Sequence, residues 1–249
     1  MASPKGRAWT AVRSTLQHYP AVSRPLWKAY YQVYPREIHG MRDGELNNRE
    51  IVFGEIFEKN EWASDESRSG KGSGLETTVE VRRQIPRILS SYSVSTFLDA
   101  PCGDYNWMRR VQMPAGTSYV GADIVAPLIA SLNGRYSDET HRFQTLDIVK
   151  GDLPEADLWL CRHALFHLPI DDIKTTLQRF RRSKIKYLLT TTHNFCRKNL
   201  DVNPGGFRFI NLRKPPFNLP KPMLQFDDFD QLGPPCLLAM WSREQIPEA

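Results

Sequence analysis

The sequence predicts an α/β fold, a doubly wound and mostly parallel sheet with an N-terminal helical cap and a closing antiparallel strand pair. Two observations carry this expectation. From residue 96 onward, short apolar runs alternate with longer amphipathic ones, the pattern of parallel strands joined by crossover helices. Beyond residue 192 the alternation stops, and two further runs, 206–212 and 235–245, read as antiparallel strands. A chain of 249 residues, 41% of them hydrophobic, is long enough to bury the core of such a sheet within one domain.

Residues 1–64 read as the helical extension or cap, and 65–249 as the main domain. The first 36 residues hold Lys5, Arg7, Arg13, Arg24, Lys28 and Arg36 and no acid, and so feed the formal net charge of +5. A basic stretch permits contact with phosphates, anionic lipid or acidic glycans. Its cations are not interleaved with aromatics in the manner of a nucleic-acid module, which argues against nucleic acid as a partner. Trp9, Val12, Leu16 and Tyr19 stand at helical spacing. They read as a helix packed on the domain, with a transit segment or membrane-surface helix as the alternatives. Residues 25–34 are aromatic-rich, and 49–60 place Ile51, Phe53 (or Val52), Ile56 and Phe57 on one apolar side.

The run WASDESRSGKGSG (62–74) is polar and glycine-rich and reads as loop, followed by a helix to about Leu89. Candidate strands cover 96–100, 118–123, 142–146, 157–161 and 186–192. The proline-dense stretch 213–222 reads as an extended connection, because each proline lacks an N–H and disfavours helix before it. Four cysteines without a C-x-x-C pair indicate neither a zinc site nor a disulfide framework, so reduced thiols and a cytoplasmic setting are expected. No apolar run approaches the roughly 18 residues of a membrane span.

In open sheets of this kind ligands bind beyond the carboxyl ends of the strands. The strongest signal lies there: FLDAPCGDYNWM (97–108) carries a hydrophobic strand into an acid and a turn containing Gly103. Glycine lets backbone approach a ligand closely, and a helix starting after the turn would offer free N–H groups and a positive dipole end. About twenty residues on, YVGADI ends the second strand in Asp123, placed like an acid that accepts from ribose hydroxyls. TLDIV supplies Asp147 and Ile148 at the third strand end, suited to an adenine amine and ring.

On these residues, the segment from about Phe53 to Ile246 resembles a class I S-adenosylmethionine (SAM)-dependent methyltransferase, with its seven-stranded Rossmann-like sheet. The resemblance implies that Asp99, Ala100, Cys102 and Gly103 line the methionine part of SAM, Asp123 with Ile124 the ribose, and Asp147 with Ile148 the adenine. Arg162 would flank the sulfur, and S-adenosylhomocysteine would be the product. The chain is also similar to a bacterial subgroup with N-x-W…E-S-x-S-G-x-G-S and G-x-W-R-x-x-N-L-x-x-P-P-F segments. It has Asn60, Trp62, Glu66, Ser67, Ser69, Gly70, Gly72 and Ser73, then Gly206, Arg208, Asn211, Leu212, Pro215, Pro216 and Phe217. Two positions depart: Phe207 stands where Trp is frequent, and His163 where an acid is common.

The Gly-Lys of residues 70–71 does not make a nucleotide triphosphate loop. Gly72 replaces the magnesium-binding hydroxyl, the first glycine is missing and no strand precedes it. Trp62, Ser69, Gly70 and Ser73 are expected in a lid closing over the SAM carboxylate, an exposed linker being the alternative. His163 and His167 stand four apart, but without the glutamate of H-E-x-x-H or a third ligand they do not predict a metal. His163 is the first candidate base and His193 the second, because imidazole titrates near neutrality. For His163 plain substrate or cofactor contact is the equal alternative. His167 reads as an acceptor contact or a packed helix residue. Asn194, Arg208 and Asn211 are candidate acceptor contacts, with an internal pair from Arg208 to Asp227 or Asp228 as the alternative.

The expected reaction is in-line methyl transfer to a hydroxyl of a small molecule or sugar. The alternatives are N-methylation of a small molecule or RNA, or SAM binding without catalysis. The N-P-P-Y-type tetrapeptide of many amino-methylating enzymes is absent after the fourth strand, where Arg162-His163-Ala164-Leu165 stands.

Overall fold

The computed structural model describes residues 48–228 and 235–248, with Val22, Pro25, Leu26 and Ala29 before them. The expected helical spacing of Trp9, Val12, Leu16 and Tyr19 and most of the aromatic run 25–34 lie outside the described residues.

Seven strands form one sheet in the order β3-β2-β1-β4-β5-β7-β6. They are β1 (Thr96–Asp99), β2 (Ser118–Asp123), β3 (His141–Thr145), β4 (Leu158–Cys161), β5 (Tyr187–Thr192), β6 (Leu224–Asp227) and β7 (Leu237–Ser242). The first five pair in parallel, and β7 runs antiparallel to both β5 and β6. The chain runs outward from β1 to β3 and then returns to place β4 beside β1, so the switch point, where such sheets bind ligands, lies between β1 and β4.

The helices described in full are α1 (Arg49–Lys59), α2 (Val79–Ser91), α3 (Ala126–Tyr136) and α4 (Ile170–Arg182). Alternation along each strand divides the core between the two sheet faces. Leu98, Val120, Trp159, Leu188 and Trp241 pack with Ile173, Leu177 and Phe180 of α4. Phe97, Tyr119, Leu158, Leu189 and Met240 pack with Val81, Ile85 and Leu89 of α2 and Leu128, Ile129 and Leu132 of α3. Helix α1 is well capped: Asn48 accepts from the backbone N–H groups of Glu50 and Ile51, and Asn60 closes it at φ 49°. It buries Val52 and Ile56 and leaves Ile51 exposed, against the expectation that Ile51 shares the apolar side.

Two elements differ from expectation. The strand paired with β7 is Leu224–Asp227, not 206–212. The latter run passes the end of β5 with backbone groups tied to side chains: Ile210 N–H to His193, Asn211 N–H to Asn199, and Leu212 N–H to Thr192. Groups committed this way cannot also form a ladder. The proline stretch likewise begins with turns at 212–217 before it extends into β6. The helix expected after Gly103 is also missing. Between β1 and β2 there is only a 3₁₀ turn, Met108–Arg110, and Tyr105, Trp107 and Met108 pack into the core.

Candidate active site

The tips of β1, β2, β3 and β4 open onto a cleft that is partly open to solvent. Asp99, Cys102, Gly103, Asp123, Ile124, Asp147, Ile148 and Arg162 line it, together with Trp62, Ser69, Ser73, His163 and His167. Asp99 is buried and accepts from the Tyr119 hydroxyl at 2.8 Å. Burial pushes its carboxyl up to about 7, against the opposing pull of the Tyr119 hydrogen bond and Arg162. Asp123 accepts from the N–H groups of Gly103 and Val125, each at 3.1 Å, while burial raises its carboxyl. An ionised carboxylate offers about four lone-pair sites, so acceptor capacity remains.

Asp147 is held by Arg49, which the sequence reading did not single out. The guanidinium of this α1 residue bonds Asp147 at 2.8 Å and Asp172 at 2.8 Å, joining the tip of β3 to the start of α4. Phe53 and Phe57 of the same helix line the cleft, as do Trp107 and Leu168. The segment expected as a cap therefore supplies part of the wall.

Arg162 follows β4 and makes a two-pronged pair with Asp228 at 2.8 and 2.9 Å, both side chains buried. Its remaining terminal nitrogen donates to the Gly72 carbonyl at 2.8 Å, and its guanidinium lies 5.3 Å over the Trp107 ring. The loop bearing Gly72 is stitched down elsewhere as well. Asp104 accepts from the Ser67 hydroxyl and the Arg68 N–H, each at 2.9 Å, and donates its own N–H to Ser69. Asn106 donates to Glu66 and to the Ser73 carbonyl. Gly103, at φ 55°, has no room for a side chain, since a Cβ there would lie 2.2 Å from the Ser69 hydroxyl.

His163 takes φ 53°, an uncommon conformation for a residue with a side chain, and its N–H donates to Thr191 at 2.9 Å. Its side chain keeps 26% exposure, and its Nε2 lies 3.1 Å from Asp228. Ala100 and Gly70 do not line the cleft. The Ala100 carbonyl accepts from the Trp159 indole, and Gly70, at φ 91°, abuts Trp62.

Four of the expected acceptor residues lie elsewhere. His193 is buried among Phe166, Phe195 and Phe209, and burial lowers its imidazole to about 3, so it is neutral and shielded. Arg208 is buried and donates to the carbonyls of Leu165 and Leu200, and it pairs with neither Asp227 nor Asp228. Asn211 donates to the Asn194 and Cys196 carbonyls and is packed away from the cleft, while the Asn194 side chain is exposed. His167 does line the cleft, but it sits in a 3₁₀ turn, bonds the Gly206 carbonyl at 2.7 Å and stacks on Trp62. Burial lowers it to about 4. The four cysteines are free and buried. Among the described residues no helix is long and apolar enough to cross a membrane.

The architecture is that of the Rossmann-like methyltransferases. Two solved structures carry the comparison. The N-methyltransferase NodS from Bradyrhizobium japonicum WM9, in complex with S-adenosyl-L-homocysteine, matches with a TM-score of 0.52 at 18% identity, over 78% of this chain and 99% of its own. The Burkholderia thailandensis 1,6-didemethyltoxoflavin-N1-methyltransferase, with its bound substrate and S-adenosylhomocysteine, matches with a TM-score of 0.55 at 15% identity, over 83% and 99%. At these identities the likeness is one of fold. No family model matches the chain, and no curated protein does.

Proposed function

We propose that the protein is a SAM-dependent methyltransferase that methylates a hydroxyl of a small molecule or sugar. The supporting observation is convergence: Asp99, Asp123 and Asp147, from three successive strand tips, line one cleft at the switch point of the sheet. The donor set suits an adenosyl sulfonium. Asp123 keeps lone pairs for ribose hydroxyls, Ile148 and Val149 offer an apolar face for adenine, and Asp99 lies where a methionine amino group can neutralise it. The ordered loop with Ser69 and Ser73 screens the cleft from water as a lid.

SAM supplies a methyl group on a positively charged sulfur and leaves as S-adenosylhomocysteine. The protein's task is alignment, which for two held reactants contributes much of the acceleration. His163 stands at the cleft with partial exposure and takes the proton of the acceptor hydroxyl, a contribution of about 10²–10⁴-fold. A second reading is N-methylation. The two solved structures just described are named as N-methyltransferases, and an amine acceptor needs less help from a base.

Calorimetric titration with SAM and with S-adenosylhomocysteine tests the core of the reading. Binding is expected with the wild type and at least tenfold weaker with Asp123→Ala, a loss of about 1.4 kcal/mol or more. No heat with either compound removes the assignment. A panel of hydroxyl and amine acceptors then separates the two chemistries.

A further inference from the structure

We propose that His167 anchors the acceptor: its ring is fixed with the proton on Nδ1, and its Nε2 lone pair receives a hydroxyl of an uncharged aromatic compound, other than the hydroxyl that is methylated. The inference deepens the methyltransferase reading of the cleft and rests on it. His167 lies in the 3₁₀ turn after β4 and is clasped by the turn that the Gly206 N–H closes on the Asn203 carbonyl. The Gly205 N–H donates to the His167 backbone carbonyl at 2.9 Å, and the Gly206 carbonyl lies 2.7 Å from Nδ1. A carbonyl oxygen only accepts, so Nδ1 carries the proton. Burial, with His163 and Arg208 nearby, lowers the imidazole to about 4, so at neutral pH the ring is uncharged and Nε2 keeps its lone pair. Nε2 has no hydrogen-bond partner among the described residues, yet it is not one of the buried polar atoms left without one. Because the ring also lines the cleft, this lone pair reaches the open space.

The walls of the cleft select the rest of the acceptor. Trp62 stacks on the His167 ring with centroids 5.2 Å apart, and Phe53, Phe57 and Leu168 add apolar lining. Aromatic surfaces of this kind favour another aromatic ring. The guanidinium groups of the lining belong to Arg49 and Arg162, and both are paired: Arg49 with Asp147 and Asp172, Arg162 with Asp228. Asp99, Asp123 and Asp147 line the same space. An anionic acceptor would therefore meet acids and, among the described residues of the lining, no unpaired guanidinium or ammonium group.

The test is nitrogen NMR of the His167 ring in the intact chain loaded with S-adenosylhomocysteine, titrated with phenol, cyclohexanol, anisole and benzoate. The free ring is expected as the Nδ1–H tautomer. Phenol should shift Nε2 saturably and cyclohexanol more weakly. Anisole, which lacks the donor, and benzoate, which is anionic, should leave it unmoved. In His167→Asn the amide can still donate to the Gly206 carbonyl but the ring lone pair is gone. Phenol should then bind about 3- to 10-fold more weakly by ligand-detected NMR, while S-adenosylhomocysteine affinity stays within about threefold. A free ring with Nε2 protonated overturns the proposal, with no variant required. So does the absence of a saturable phenol shift, a response to cyclohexanol, anisole or benzoate equal to that of phenol, or unchanged phenol affinity in His167→Asn. Failure of S-adenosylhomocysteine to bind defeats the parent reading instead, and phenol titration of the unloaded protein still decides this one.

Discussion

The His163 ring packs directly on Gly72, since a Cβ at position 72 would lie 2.5 Å from Nδ1 of His163. Gly72 is not at positive φ, so the demand for glycine here comes from the ring and not from the backbone. Gly72→Ala is expected to cost about 1–3 kcal/mol of loop docking through overpacking. Melting temperature and SAM affinity of the single variant read this loss. In a His163→Ala background the same change should be nearly neutral, and an equal cost in both backgrounds would show that the ring is not its cause.

The Arg49 clamp predicts a loss of both stability and cofactor order. Its guanidinium bridges Asp147 and Asp172 from a site only 8% exposed. Arg49→Ala should destabilise the protein by about 2 kcal/mol, the scale of a charged hydrogen bond left unmade. Denaturant unfolding measures this. SAM should also bind more weakly, because Asp147 loses the partner that aims it. Unchanged values in both measurements would make the clamp ornamental.

Acid should loosen the fold through two histidines. His167 and His193 are lowered by burial to about 4 and about 3, from an ordinary value of 6.5. The unfolded chain therefore binds protons that the folded state refuses, and stability falls as pH drops from about 6.5 toward 4. The melting temperature of wild type should decline over that window. His193→Asn, which keeps polar partners for Ile210, should flatten the decline, and a slope identical to wild type would contradict the assignment.

Asp99 predicts the opposite sign. Its carboxyl ordinarily titrates at 3.8 and in the fold is raised to about 7. The folded state holds this proton longer than the unfolded chain, so the cost of burying the charge grows as pH rises from about 4 through 7 and is complete above it. Asp99→Asn keeps an acceptor for the Tyr119 hydroxyl and removes that cost. Without SAM, the variant should melt a few degrees above wild type at pH 8, with the gap closing toward pH 4.

Much of the sheet is legible in the sequence because its strands are short apolar runs ending in polar residues. β2 matches its expected limits of 118–123, and β1, β3, β4 and β5 fall within a residue of theirs. The acids at the tips are legible for the same reason. The partners of those tips are not, because Arg49 lies 98 residues from Asp147 and Arg162 lies 66 from Asp228. No local pattern marks such pairs. The run 206–212 looks like a strand by composition, and only the side chains of His193, Asn199 and Thr192, distant in sequence, decide that its backbone is bonded otherwise. Arg208 and Asn211 mislead similarly: polar residues near the strand tips serve buried carbonyls there, a use that spacing alone does not distinguish from ligand contact.

Arg162 touches three stretches of chain at once: Asp228 beyond β6, the Gly72 carbonyl and the Trp107 face. Lifting the polar loop would strip the Gly72 oxygen of its donor and free one prong of a cation still tethered below. Entry to the cleft and the seating of the sheet's last hairpin are thereby tied to a single side chain, so a ligand that settles the one also steadies the other.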